Sequence, residues 1–321
     1  MTAPPESSRS YRLTFVFLGL FRWIFCALPE PLAVFLGERI GDILRLCLPG
    51  KVKILRDNLS RSDLAPASHE EARPFERRFE KKVFRHFGRL GAEFLRLCTL
   101  SDERVCALVP VEGLDHFREE YRKGQGVILL TGHIGNWEMA LRRIAVEAPG
   151  RAHPVIRRIK NPAVNDFIDR HRRHCGKGDS ILADLGPKPL IRALRAGEVL
   201  IFLLDQNAGE GEGSFVPFLG RQAATYTSLA RLSLMTGLPV LPAACQRMAG
   251  GHFRGRILPP IFPERSQPPE EAAIRMTALY GQALDAFVRD YPEQWIWMHR
   301  RWKTQPQEPL SPGPMGPDPA S

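Results

Sequence analysis

From residue 113 to residue 290 short apolar runs alternate with helix-length stretches whose apolar side chains recur at helical spacing. No other feature constrains the fold as tightly. A strand that leads into a helix and returns as a strand pairs parallel with its neighbours, and a buried parallel sheet needs helices on its faces. The pattern predicts helices over 113–123, 136–147, 162–174, 187–196, 225–236 and 270–290, and strands over 126–131, 153–157, 179–182, 199–204, 239–244 and 252–258. The expected class is α/β, with a mixed, mostly parallel sheet flanked by helices.

Upstream the chain is helical in pattern. Residues 13–28 form an apolar stretch of sixteen residues interrupted by Arg22 and closed by Pro29. As a helix it reaches about 24 Å, short of the roughly 30 Å hydrocarbon core of a bilayer. No small-residue cleavage site follows, so a signal peptide fits poorly. The expectation is an anchor lying in the membrane interface or barely spanning it, with Trp23 and Arg22 at the headgroups. A second apolar helix over 31–48 extends the contact or begins the core, and a short basic helix covers 51–61. A longer helix over 69–99 carries Phe75, Phe79, Phe84, Phe87, Leu90, Phe94 and Leu97 at helical spacing, a stripe that reads as core. The division that results is a disordered 1–12, an anchor over 13–48, a catalytic domain over 49–305 and a disordered Pro-rich tail over 306–321.

Across 321 residues, 45 Lys and Arg stand against 35 Asp and Glu, a formal charge of +10. Such a surface suits an acidic partner: phospholipid, a phosphorylated lipid, an acidic carrier protein or nucleic acid. The six cysteines show no Cys-x-x-Cys pair, which argues against a disulfide framework or a structural zinc site and for small core residues in a reducing compartment.

The strand over 126–131 ends in Thr131-Gly132-His133-Ile134-Gly135-Asn136-Trp137-Glu138, with Asn136 placed to cap the helix that follows. His133 and Glu138 are five residues apart, about 140° around a continuous helix, and would not meet there. They meet only if the chain turns between them, and Gly135 permits the turn. A histidine with a carboxylate on its other ring nitrogen is a suitable base for activating a hydroxyl. No Gly-x-Ser-x-Gly elbow occurs, which favours direct attack of a substrate hydroxyl over a serine acyl-enzyme.

The segment Gly132-His133-Ile134-Gly135-Asn136-Trp137-Glu138 resembles the His-x-x-x-x-Glu signature of the late acyltransferases of lipid A biosynthesis, in its His-x-x-Asn-Trp-Glu form. Three further blocks follow in the family's order. Arg157-Arg158-Ile159-Lys160-Asn161-Pro162, with Arg172 beyond it, resembles the Arg-x-x-x-Asn-Pro segment and its following arginine. Asp205-Gln206-Asn207, then Phe215-Val216-Pro217-Phe218, resembles the Asp-bearing strand end and the Phe-Val-Pro-Phe segment. Trp295 through Lys303 resembles the C-terminal Trp-x-His-Arg-Arg-Phe-Lys run.

The resemblance implies a glycerolipid acyltransferase-like fold, and an enzyme at the inner membrane with its site on the cytoplasmic side. It implies acyl carrier protein or acyl-CoA as donor, a glycolipid hydroxyl as acceptor, and no metal or cofactor. It implies His133 as base and Glu138 as its orienting partner. Asn136, Arg157, Arg172, Asp205 and Arg300 are expected on the substrate side, where arginines suit phosphate. Asp205-Gln206-Asn207-Ala208 departs from the more usual Asp-His-Asp-Tyr, and Trp302 stands where phenylalanine is common. These departures leave other acceptors open: a phosphatidylinositol mannoside, a lysophospholipid or an ornithine-type lipid. His171, His174 and Cys175 read as a basic helical face rather than metal ligands. The basic stretch 157–177 lacks a recognised nucleic-acid-binding pattern.

Overall fold

The computed structural model describes residues 9–65, 69–176 and 178–306. The expected disorder of residues 1–8 and 307–321 lies outside the described residues. Residues 9–12, also expected to be disordered, form the first turn of a helix instead.

Four helices open the described part of the chain. The first, α1 (Arg9–Ala27), is long and apolar enough to cross a membrane by length and composition. It is followed by α2 (Glu30–Cys47), α3 (Pro49–Arg61) and α4 (His69–Arg96). α2 packs along α4, and the approach is close because Gly37 and Gly41 meet the backbone of Gly88 and Phe84; a Cβ at Gly37 would strike the Gly88 carbonyl. Most of the aromatic stripe of α4 faces inward: Phe79, Phe84 and Leu90 are buried, Phe87 and Phe94 are half-buried, Phe75 is exposed, and Leu97 is buried in the 3₁₀ turn that follows. On α1, Leu13, Val16, Phe17, Leu20 and Trp23 are left exposed, a stripe at helical spacing that covers nothing within the chain.

The remaining elements alternate: α5 (Asp102–Leu108), β1 (Val111–Glu112), α6 (Leu114–Arg122), β2 (Val127–Thr131), α7 (Trp137–Glu147), β3 (Ala152–Ile156), α8 (Pro162–His174), β4 (Ile181–Leu182), α9 (Pro187–Arg195) and β5 (Val199–Leu203). A hairpin, β6 (Gly213–Phe218) and β7 (Arg221–Tyr226), leads to α10 (Ser228–Thr236), β8 (Val240–Arg247), β9 (Phe253–Ile257) and α11 (Pro269–Asp290). Seven strands form one sheet in the order β1-β9-β8-β2-β5-β3-β4, and β8 with β9 is its antiparallel pair. The sheet is therefore mixed and mostly parallel, as the alternation predicts.

β2 is central, and all five of its residues are buried. Its pleat sends alternate side chains to opposite faces. Val127 and Leu129 join Leu141 and Ile144 of α7 and Phe117 of α6. Ile128 and Leu130 join the larger cluster with Leu194 of α9, Leu229 of α10 and Tyr280 and Leu284 of α11. Each such side chain contributes about 1.5–3 kcal/mol by leaving water, so the frame around β2 is firm.

Four elements escape the periodicity: α5, β1 and the two strands of the hairpin. β1 is only two residues long. The hairpin β6–β7 forms its own two-stranded sheet, which moves the start of the predicted 225–236 helix to Ser228. Its six paired positions include Pro217 and follow no clean alternation of apolar and polar residues.

Candidate active site

In a parallel sheet the carboxyl ends of the strands share one edge, the usual place for a ligand. β2 and β5 pair in parallel with Thr131 opposite Leu203. The chain leaves β2 at Gly132-His133 and leaves β5 at Leu204-Asp205, and Arg157 follows β3 at the same edge.

The turn after β2 is held from several sides. Gly135 has φ +60°, and a Cβ there would collide with the Cys245 carbonyl. Its N–H donates to the Gln294 carbonyl at 2.8 Å, and the Asn136 N–H donates to the Cys245 carbonyl at 2.7 Å. Asn136 Oδ1 accepts the Met139 N–H at 2.9 Å, capping α7 as its residue type predicts. Its amide donates to Glu93 Oε2 at 2.7 Å, and Arg247 also binds that carboxylate. Asn136, expected on the substrate side, is thus buried and turned inward. His86 donates from Nε2 to the Gly135 carbonyl at 3.1 Å. Burial, then the Arg247 charge, hold His86 well below the ordinary histidine range. Burial pushes the Glu93 carboxyl up despite Arg247.

The carboxylate on His133 is not the one the spacing pointed to. His133 Nδ1 lies 2.9 Å from Asp205 Oδ1, and the His133 backbone N–H donates to Oδ2 at 2.7 Å. Trp295 Nε1 donates to the same Oδ2 at 2.9 Å. A carboxylate only accepts, so Nδ1 carries a proton, and in the neutral ring this tautomer leaves the lone pair on Nε2. Burial raises the Asp205 carboxyl, but the His133 charge and the hydrogen bonds from His133 and Trp295 outweigh it, and the net shift is downward. Asp205 is fully buried, whereas the His133 side chain is partly open. Trp137 meets the imidazole edge to face at 5.0 Å, and Gln206 Nε2 stands 3.5 Å from His133 Nε2.

Glu138, expected to orient His133, instead receives Arg172 through two nitrogens, Nη2 to Oε1 at 2.6 Å and Nε to Oε2 at 3.2 Å. Both side chains are largely buried. Burial lowers the Arg172 guanidinium, and the Glu138 charge and hydrogen bond more than reverse that, leaving it raised. Arg157 is exposed, stacks over Tyr226 at 4.5 Å and pairs with Glu212 at 3.5 Å. Arg300 lines a cleft of about 480 Å³ with Lys53, Arg61 and Lys303. Its neighbour Arg301 is buried, donating to the carbonyls of Gln206 and Ala224 and so fixing the segment after Asp205. Phe218 packs in the core against Trp295 and Trp302.

Glu93, His86, Arg247, Trp295 and Arg301 escape a linear reading, because none belongs to the strand-turn-helix. The Trp295-to-Lys303 run was the one signal that its residues serve the site. The sequence also missed a covalent link. Cys98 and Cys175, 77 residues apart, form a disulfide with a Cα–Cα distance of 4.7 Å. His171, read as part of an exposed basic face, is buried beside them, and the ligand atoms of the three lie within 4.8 Å of one another.

A partly open imidazole whose second nitrogen rests on a buried carboxylate, at the carboxyl edge of a helix-flanked sheet, is chemically equipped to take a proton from a hydroxyl. The chain belongs to the bacterial lipid A biosynthesis acyltransferase family, whose model matches residues 5–304. It is 29% identical over 301 residues to the lipid A biosynthesis lauroyltransferase of Escherichia coli (strain K12), covering 92% of this chain and 93% of that one. It is likewise 29% identical over 300 residues to the palmitoleoyltransferase of the same organism, covering 92% of each. Identity to its myristoyltransferase is 23% over 222 residues, or 69% of this chain and 67% of that one. The protein is an acyltransferase transferring groups other than amino-acyl groups.

Proposed function

We propose that the protein moves a fatty acyl chain from a thioester donor, acyl carrier protein or acyl-CoA, to a hydroxyl of a lipid A precursor at the cytoplasmic face of the inner membrane. The observation that carries the mechanism is the hydrogen bond from His133 Nδ1 to Asp205. With Nδ1 protonated, Nε2 takes the proton of the acceptor hydroxyl as its oxygen attacks the thioester carbon. The imidazolium that forms is stabilised by Asp205. The tetrahedral intermediate collapses, the carbon–sulfur bond breaks, and the proton on Nε2 passes to the departing thiolate. Ester and free thiol are the products, so atoms and charge balance without a metal ion.

Glu138 acts in this reading through Arg172. The bidentate pair fixes both side chains at the start of α7. In this reading Arg157 and the cleft lined by Lys53, Arg61, Arg300 and Lys303 receive the phosphate of the substrate, as their guanidinium and ammonium groups suit. The exposed apolar face of α1 supports attachment to the membrane that holds the acceptor.

The test uses full-length protein in detergent with an acyl carrier protein thioester, acyl-CoA and a lipid A precursor, reading thiol release and product mass. One acyl chain added to the precursor, lost in His133→Ala, is the expected result. Transfer to a lysophospholipid or to a mannosylated inositol lipid instead would reassign the acceptor. An acyl-enzyme trapped with donor alone would overturn direct attack.

A further inference from the structure

We propose that Cys98 and Cys175 form a reversible dithiol–disulfide couple, served by small thiols and disulfides of the glutathione class, that sets how firmly α8 holds Arg172 against Glu138. This goes beyond acyl transfer and is tested without it, although its consequence for turnover rests on the reading above.

The two sulfurs join separate elements. Cys98 lies in the 3₁₀ turn that ends α4, and Cys175 is the C-cap of α8. Arg172, which grips Glu138, lies three residues before Cys175, in the last turn of the same helix. The bond therefore ties the end of the helix that carries Arg172 to the helix that carries Glu93 and His86 beneath the catalytic turn.

The surroundings supply the chemistry of exchange. His171 Nε2 donates to the Phe94 carbonyl at 2.6 Å, which leaves Nδ1 as the acceptor nitrogen, 3.5 Å from Cys98 Sγ. In the reduced form that nitrogen receives the Cys98 thiol proton, and the thiolate is the attacking species. Cys98 is half-buried and Cys175 is buried, so an external reagent meets Cys98 first.

Oxidation runs in two exchanges. Cys98 thiolate attacks one sulfur of oxidised glutathione, forming a mixed disulfide and expelling one glutathione thiolate. Cys175, losing its proton to the released thiolate, then attacks Cys98 Sγ and expels the second glutathione, whose thiolate takes the proton that His171 Nδ1 received from Cys98. Two protein thiols and one oxidised glutathione become one protein disulfide and two reduced glutathiones. Reduction is the reverse, with entry at Cys98.

The experiment equilibrates full-length protein in detergent with graded mixtures of reduced and oxidised glutathione, quenches in acid, alkylates after unfolding and counts modified cysteines by peptide mass spectrometry. Cys98 and Cys175 are expected to lose alkylation together, their oxidised-to-reduced ratio rising tenfold for each tenfold rise in oxidised over squared reduced glutathione. Cys26, Cys47 and Cys106 serve as internal controls. Amide exchange across 169–175 should rise at least tenfold on reduction. The acceptor KM should shift at least threefold, and neither change should occur in Cys98→Ser/Cys175→Ser. Cysteines 98 and 175 that stay alkylatable at every ratio would overturn the couple, as would one zinc ion per chain retained by the reduced protein in place of oxidation. Exchange and KM that ignore the disulfide would overturn its link to Arg172.

Discussion

Asp205 Oδ1 accepts the Nδ1 proton of His133 at 2.9 Å, and Oδ2 of the same carboxylate accepts the His133 backbone N–H at 2.7 Å. One buried side chain thus fixes both the ring and the peptide that bears it. Replacing Asp205 by Asn keeps the volume but removes the charge that selects the Nδ1–H tautomer. Turnover should fall by about 10²–10⁴-fold, with the donor KM changed far less. Full activity in Asp205→Asn would leave His133 without this partner's support.

Glu138 and Arg172 behave as a unit. Arg172→Met removes the bidentate partner of a buried carboxylate and should lower stability by about 3–5 kcal/mol. Arg172→Met/Glu138→Gln should regain most of that loss, because no uncompensated charge remains. Thermal melting of the single and double variants in one detergent decides it. Equal melting temperatures would mean that solvent reaches the pair.

Gly135 carries a positive φ at a point where a Cβ meets the Cys245 carbonyl. Gly135→Ala should displace the turn by tenths of an ångström and cost about 1–3 kcal/mol of backbone strain. Because His133 is two residues away, turnover should fall more than stability suggests. Gly91→Ala, on an open helix face, is the control. Matching losses in the two variants would remove the argument.

His86 is held well below the ordinary histidine range by burial and by Arg247. A histidine whose folded pKa is depressed contributes stability that is fully present above its unfolded value of about 6.5. That contribution is lost as pH falls through the folded value. Wild-type protein should therefore lose stability below about pH 6.5 faster than His86→Gln. Glu93, pushed up, has the opposite sign, so the difference between the two proteins at each pH is the quantity to measure. A difference that does not shrink on acidification would count against a neutral His86.

The exposed stripe on α1 predicts a membrane contact. Phe17→Asp/Leu20→Asp should release the protein from vesicles rich in anionic lipid and abolish the blue shift of Trp23 fluorescence, with far-ultraviolet circular dichroism unchanged. Undiminished vesicle binding would place the contact elsewhere.

How far the sequence reaches can be seen at the turn itself. Apolar runs and helical spacing mark β2, α7 and their neighbours, because burial on a central sheet and an amphipathic helix leave local signatures. Asn136 announces its cap and Gly135 its turn, since both roles are settled within a few residues of chain. The four ordered blocks mark the family. The partner of His133 leaves no local trace. Asp205 lies 72 residues away and arrives only because β2 and β5 run side by side with Thr131 opposite Leu203. Glu138 is nearer in sequence, yet its place on α7 brings it to Arg172 of α8. Cys98 and Cys175 meet for a similar reason, the packing of the end of α4 against the end of α8. Sequence by itself determined most of the elements, the turn, the histidine and the family. Tertiary structure alone decided which carboxylate serves that histidine, because strand order and helix packing, not spacing along the chain, bring charged side chains within hydrogen-bond reach.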